Sequence, residues 1–212
     1  MTKRACKLEI GFLLLLALLF AWGTALEHQQ QRIADSMLRL HVVGASNSES
    51  DQQIKLQVRD AILTAAAPYL EYADSLDHAK VLVEAHLDEL ELAANDALRQ
   101  LGSDDQASVT LSRKLFGTRN YQGFSLPGGY YDALCVTIGA GSGKNWWCVV
   151  YPQICMASSV EQQKAVAVMG GINPQDAALI TEDYTLKFKT LEIFENIMGW
   201  FRTMGQGIPT SG

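Results

Sequence analysis

Lys144 closes a run of glycines, Gly139-Ala140-Gly141-Ser142-Gly143, and a lysine after glycines is the arrangement that cradles phosphates in nucleotide-binding loops. The spacing rules that chemistry out. The first glycine of such a loop belongs five residues before Gly143, where Ile138 stands, and Asn145 replaces the hydroxyl that would hold magnesium. A strand-like run follows where a phosphate needs a helix N-terminus. Gly139, Gly141 and Gly143 instead suit a tight turn between apolar runs at 131–138 and 146–151, read here as a hairpin.

Thiol chemistry would need Cys148 activated by His41 or His86. Cys148 lies within an apolar strand pattern, without the helix N-terminus or adjacent cation that lowers a thiol pKa. His86 fits the apolar stripe of a helix, whereas His41 alternates away from Leu38, Leu40 and Val42 onto a face expected to meet solvent. A metal site on His78 and His86, with Asp77, Asp88 and Glu89 nearby, has the wrong spacing, two helical turns where ligand pairs favour one, and a solvated charged face accounts better for the charged residues around them. Trp146, Trp147, Tyr151, Tyr130, Tyr131 and Phe124 offer either an aromatic binding patch or core packing. Adjacent Trp146 and Trp147 must point to opposite faces of a strand.

The chain of 212 residues, with a net charge of −6, has room for one core-forming domain and lacks the basic surface of non-specific nucleic-acid binders. Lys3, Arg4 and Lys7 precede an apolar run from Ile10 to Trp22, and Gly23-Thr24-Ala25 follows. This fits an export signal cut after Ala25, or an uncut N-terminal anchor, and the run is short for a membrane span of about 20 residues. Export permits disulfides. Cys148 with Cys155 is the preferred pair, because Pro152 can turn the chain between them; Cys135 with Cys148 across the hairpin competes, as do three buried unpaired thiols.

Positioning these residues falls to alternating and helical patterns. Residues 38–43 alternate as a strand, and Ser46 with Glu49 resembles a capping box for a helix that ends before Pro68, from which Lys55 and Arg59 project beside Asp60. A second helix is expected over 75–101, a strand over 107–115, and an aromatic loop over 116–129 containing Pro127 and Gly129. The fold class is α+β: a small, mostly antiparallel sheet with a glycine-rich hairpin, packed against two long helices and a C-terminal helix. The organisation is 1–25 signal or anchor, 26–36 spacer, 37–156 core domain and 157–182 a poorly packed insertion. A closing strand and helix follow at 183–204, with a disordered tail at 205–212.

Four stretches, at 38–63, 114–118, 126–134 and 139–155, together resemble the stage II sporulation protein R family, secreted signalling proteins of endospore-forming bacteria. The shared positions are Arg39, Ser46, Ser48, Asp51, Gln52, Lys55, Arg59 and Asp60, then Pro127, Gly129, Tyr131 and Ala133. The last stretch adds Gly139, Gly141, Gly143, Asn145, Trp146, Trp147, Cys148, Pro152 and Cys155. Ala45, Asn47 and Ala140 depart from the family pattern, which carries an amide and two acidic groups at these positions.

The resemblance implies a non-catalytic ligand without a cofactor, exported into the space between forespore and mother cell. Its implied partner is the extracellular face of a membrane-embedded aspartic-type protease, which cuts the pro-form of sporulation sigma factor E. Membrane contact would come only through an uncut N-terminal segment. An exported thiol hydrolase and a glycan-binding cell-wall protein are the alternatives.

Overall fold

The computed structural model describes residues 3–154 and 159–182. Cys155 and the expected closing strand, helix and tail beyond 182 lie outside the described residues. The elements run α1 (Lys3–Ala34), β1 (Leu38–Val43), α2 (Glu49–Leu70), α3 (Leu76–Ala85), α4 (Leu87–Gln100) and β2 (Ala107–Phe116). They continue with β3 (Arg119–Asn120), β4 (Ser125–Leu126), β5 (Gly129–Ile138), β6 (Asn145–Tyr151), α5 (Val160–Met169) and α6 (Pro174–Glu182). The main sheet has the order β2-β5-β1-β6, and β3 pairs with β4 in a separate ribbon. The fold is α+β, with helices on both faces of a mixed sheet.

The glycine-rich turn does not close a hairpin. β1 lies between the strands that flank it, parallel to β5 and antiparallel to β6, with His41 opposite Cys135 on one side and Trp147 on the other. β5 and β6 are thus two strand spacings apart, about 10 Å. Proximity in sequence favours pairing neighbours, but the apolar strand from the chain's beginning has two sheet edges to satisfy and takes the centre. This also removes the Cys135–Cys148 disulfide, because the two thiols belong to cores on opposite faces of the sheet.

One core forms where Leu38, Leu40 and Val42 meet Leu134, Val136 and Ile138 under α2, α3 and α4. Ser48, rather than Ser46, caps α2: its Oγ accepts from the Asp51 amide at 3.0 Å. α2 continues past Pro68 to Leu70, since a proline in the last turn removes only one late helical bond. The expected single helix over 75–101 is broken at His86, which leaves helical geometry, stacks on Tyr69 at 3.8 Å and turns α4 away from α3.

The other core joins Ile33, Ala34 and Met37 to Phe116, Leu126, Tyr131 and Val149, and α5 and α6 close it with Ala167, Ile172, Ala177 and Ile180. Residues 160–182 are therefore a packed layer of this face, where a poorly packed insertion was expected. Its weak periodicity misled because small Ala167 and Ala177 share the contact with Ile172, Leu179 and Ile180, so no regular stripe of large apolar residues marks it. α1 runs without a break from Lys3 to Ala34, so the apolar run and most of the expected spacer form one helix whose last turn enters the core. Among the described residues, one helix, at Glu9–Ala34, is long and apolar enough to cross a membrane. It is compatible with a signal peptide or an anchor.

Candidate functional site

The family-like residues separate into three structural groups, and two of them are internal supports. The first is a clamp in which the loop between β5 and β6 arches over the chain leaving β1. Gly143 N donates to Gly44 O at 2.8 Å, and Ser142 donates to Ala45 O through both its amide and its hydroxyl. Gly139 and Gly141 take φ of 53° and 60°, which glycine adopts without steric cost. A side chain at Gly143 would press within 2.8 Å of Gly44 O and also strike the Ser46 backbone. Ser46 accepts from the Ser48 amide and bonds the Asp51 carboxylate, and Gln52 Nε2 donates to Ser46 O at 2.7 Å.

Lys55 completes the clamp. It does not project: the residue is 4% exposed, and its ammonium donates to Gln52 Oε1 at 2.6 Å and Lys144 O at 3.0 Å. Burial, and then the like charges of Lys144 and Arg59, hold its pKa below the usual lysine value. Ala45 contributes its carbonyl and Ala140 is exposed, so neither departure from the family pattern removes a clamp bond.

The second group surrounds Arg39, which is fully buried. Its Nε donates to Cys148 O at 2.9 Å and its Nη2 to Tyr121 Oη at 2.5 Å. The guanidinium lies 4.5 Å from the Phe116 ring centre and 4.9 Å from that of Tyr131, so π faces provide attraction that a carboxylate would otherwise supply. Tyr131 is itself fixed by donating to Pro127 O at 2.7 Å.

His41 neighbours this cage. It is 7% exposed, lies parallel to Trp147 at 4.0 Å and donates from Nε2 to Asn145 Oδ1 at 2.8 Å. Burial lowers its pKa below 6.5 against the opposing effect of the Asn145 bond, and Lys114 lowers it further. The solvated face expected for His41 is absent because β1 is a central strand covered on both sides.

The third group is accessible. A cleft of about 670 Å³ runs along the edge strand β6, lined by Arg59, Asp60 and Leu63 of α2, by Trp146 and Trp147 from the strand's two faces, by Tyr121 to Phe124 and by the start of α5. The Arg59 guanidinium stacks 4.4 Å over the Trp146 ring and lies 2.7 Å from the Asp60 carboxylate. Two polar atoms of residues on the cleft walls, Trp146 Nε1 and Gln163 Oε1, are buried without a hydrogen-bond partner among the described residues. One is a donor and the other an acceptor, which is the pair of groups a polypeptide backbone can satisfy. Gln163 also donates to Gln122 O at 3.0 Å, which fixes its amide in the wall. Sequence reasoning passed over Gln163 and Leu63, and neither carries a spacing signal that marks it.

The other chemical arrangements do not assemble. His41 and Cys148 point to opposite faces of the sheet, since Cys148 packs with Leu40 while His41 packs with Trp147. His86 is occupied by Tyr69 and by Leu82 O at 2.7 Å, and His78 pairs with Asp74 at 3.0 Å. Among the described residues no group of three or more His, Cys, Asp or Glu could hold a metal. The aromatic set divides as well: Phe124, Tyr131 and Tyr151 are core, Trp146 and Trp147 take opposite faces of β6, and Tyr130 is exposed on β5 away from the cleft.

No solved structure matches this chain. Over 129 residues it is 32% identical to the stage II sporulation protein R of Bacillus subtilis (strain 168), covering 61% of this chain and 58% of that relative. The chain thus spans little more than half the length of the curated relative it matches. The family model for stage II sporulation protein R matches residues 34–161, which takes in β1, the clamp, the Arg39 cage and the cleft lining other than Gln163. This chain belongs to the stage II sporulation protein R family.

Proposed function

We propose that this chain is an exported, non-catalytic signal of endospore formation that acts between the forespore and mother-cell membranes. Its cleft engages the extracellular face of a membrane-embedded aspartic-type protease, and the outcome is processing of the pro-form of sporulation sigma factor E. Family membership supports the sporulation role. The observation that carries the choice of surface is that Arg59, Asp60 and Trp146 line one open cleft, while the clamp residues and Arg39 are spent on internal support. Stacked Arg and Trp side chains beside unpaired polar atoms are the composition of binding hot spots.

The test is complementation of a sporulating host that lacks its own family member, reading sigma factor E maturation. Trp146→Ala and Arg59→Ala should each weaken partner binding by roughly 2 kcal/mol and reduce maturation while export and protein level stay normal. Full maturation by the double variant would reject the cleft. No maturation by an exported wild type would reject the proposed partner.

A further inference from the structure

The N-terminal helix and the far end of the β2–β5 ladder meet at a second cleft, at a place the signalling reading does not use. Thr24, Glu27, His28 and Gln31 of α1 line one side, and Leu115 and Tyr130 line the other. Leu115 and Tyr130 are direct cross-strand partners, yet they are 64% and 55% exposed, so an apolar and an amphipathic side chain stand together without cover.

We propose that this lip rests in the headgroup layer of the bilayer that an uncut α1 enters. Helix length makes the argument. The uncharged stretch from Ile10 to Leu26 is only about 25 Å long at 1.5 Å per residue, against a hydrocarbon thickness of about 30 Å. A span this short is used to its end, which leaves Glu27, His28 and Gln31 in a headgroup layer roughly 5–8 Å deep. Because α1 is unbroken into the core, the side chains level with those residues are carried to the same depth.

The chemistry of the lip suits that depth. Tyrosine is favoured where an apolar ring and a polar tip meet the membrane–water boundary. Exposed Lys114 adjoins the lip in sequence, giving a cation for anionic headgroups, while Glu27 carries the opposing acidic charge. Lys3, Arg4 and Lys7 at the other end set the N-terminus inside and the domain outside. The lip involves the edge strand β2, whereas the signalling cleft borders β6 at the opposite edge, so both can be occupied at once.

The test uses the full chain reconstituted in phosphatidylglycerol–phosphatidylcholine nanodiscs with leucine methyl labelling and a gadolinium-chelating headgroup lipid. Leu115 methyls should relax at least about five-fold faster than those of Leu92, which is exposed on α4. Leu115→Ile assigns the signal without removing the apolar group. Equal relaxation at Leu115 and Leu92 would overturn the proposal. So would recovery from a native host of a chain that begins after Ala25, because the anchor would then be gone.

Discussion

Arg39 shows how burial changes the meaning of a charged residue. Among the described residues its guanidinium has rings and oxygens around it but no carboxylate, and Nη1 has no partner. Arg39→Ala should lower stability by about 3 kcal/mol or more, since it empties a large buried site and orphans the oxygens that accept its bonds. Arg39→Lys should still cost about 2 kcal/mol because an ammonium cannot reproduce the planar fork. Urea denaturation measures both, and a near-neutral Arg39→Ala would contradict the cage. His41 gives a pH dependence. Its folded pKa lies below 6.5, so as pH falls through 6.5 the unfolded chain takes up a proton that the folded chain refuses, and stability declines. His41→Phe removes that proton, so its stability deficit against wild type should shrink between pH 7.5 and 5; a constant deficit would mean that His41 titrates normally. Strand alternation alone placed both residues opposite the leucines. It could not reveal that α1, α5 and α6 cover the opposite face, because that depends on segments far away in sequence.

Elements were legible where local signals decide them. The strand over 38–43, the presence of a helix after Ser46 (although Ser48 caps it) and the opposite faces of Trp146 and Trp147 follow from periodicity and composition. Pairing was not legible: nothing between Ile138 and Asn145 records that β1 will insert between the strands on either side. Once it has inserted, the glycines acquire a specific use, since the loop must bridge two strand spacings and lie against the backbone leaving β1. Gly143→Ala should therefore cost about 2 kcal/mol by overpacking a backbone contact. Ala140→Glu, on an exposed position, should change stability by less than about 0.5 kcal/mol. Thermal unfolding of the two variants side by side separates clamp from surface, and equal melting temperatures would remove the clamp from the account. The break at His86 escaped for a related reason: the apolar stripe continues through it, and only the stacking on Tyr69 marks the turn.

At the scale of the whole molecule, a mixed sheet joins two cores, and its β6 edge offers a cleft in which accessible family-like side chains converge. Sequence reasoning supplied Arg59, Asp60 and Trp146 as candidates through family resemblance, with Lys55 and Arg39 among them on equal terms. Burial separates the groups, and no spacing rule could have done so. The central claim is that this cleft is the face the partner meets. Placing a photo-crosslinking amino acid at Asp60, which is solvent-accessible on the cleft wall, tests it most directly in sporulating cells. The same probe at Leu92 on α4 is the control. The account predicts an adduct with the membrane-embedded protease from position 60 and none from position 92. An adduct from position 92 with none from position 60 would contradict it.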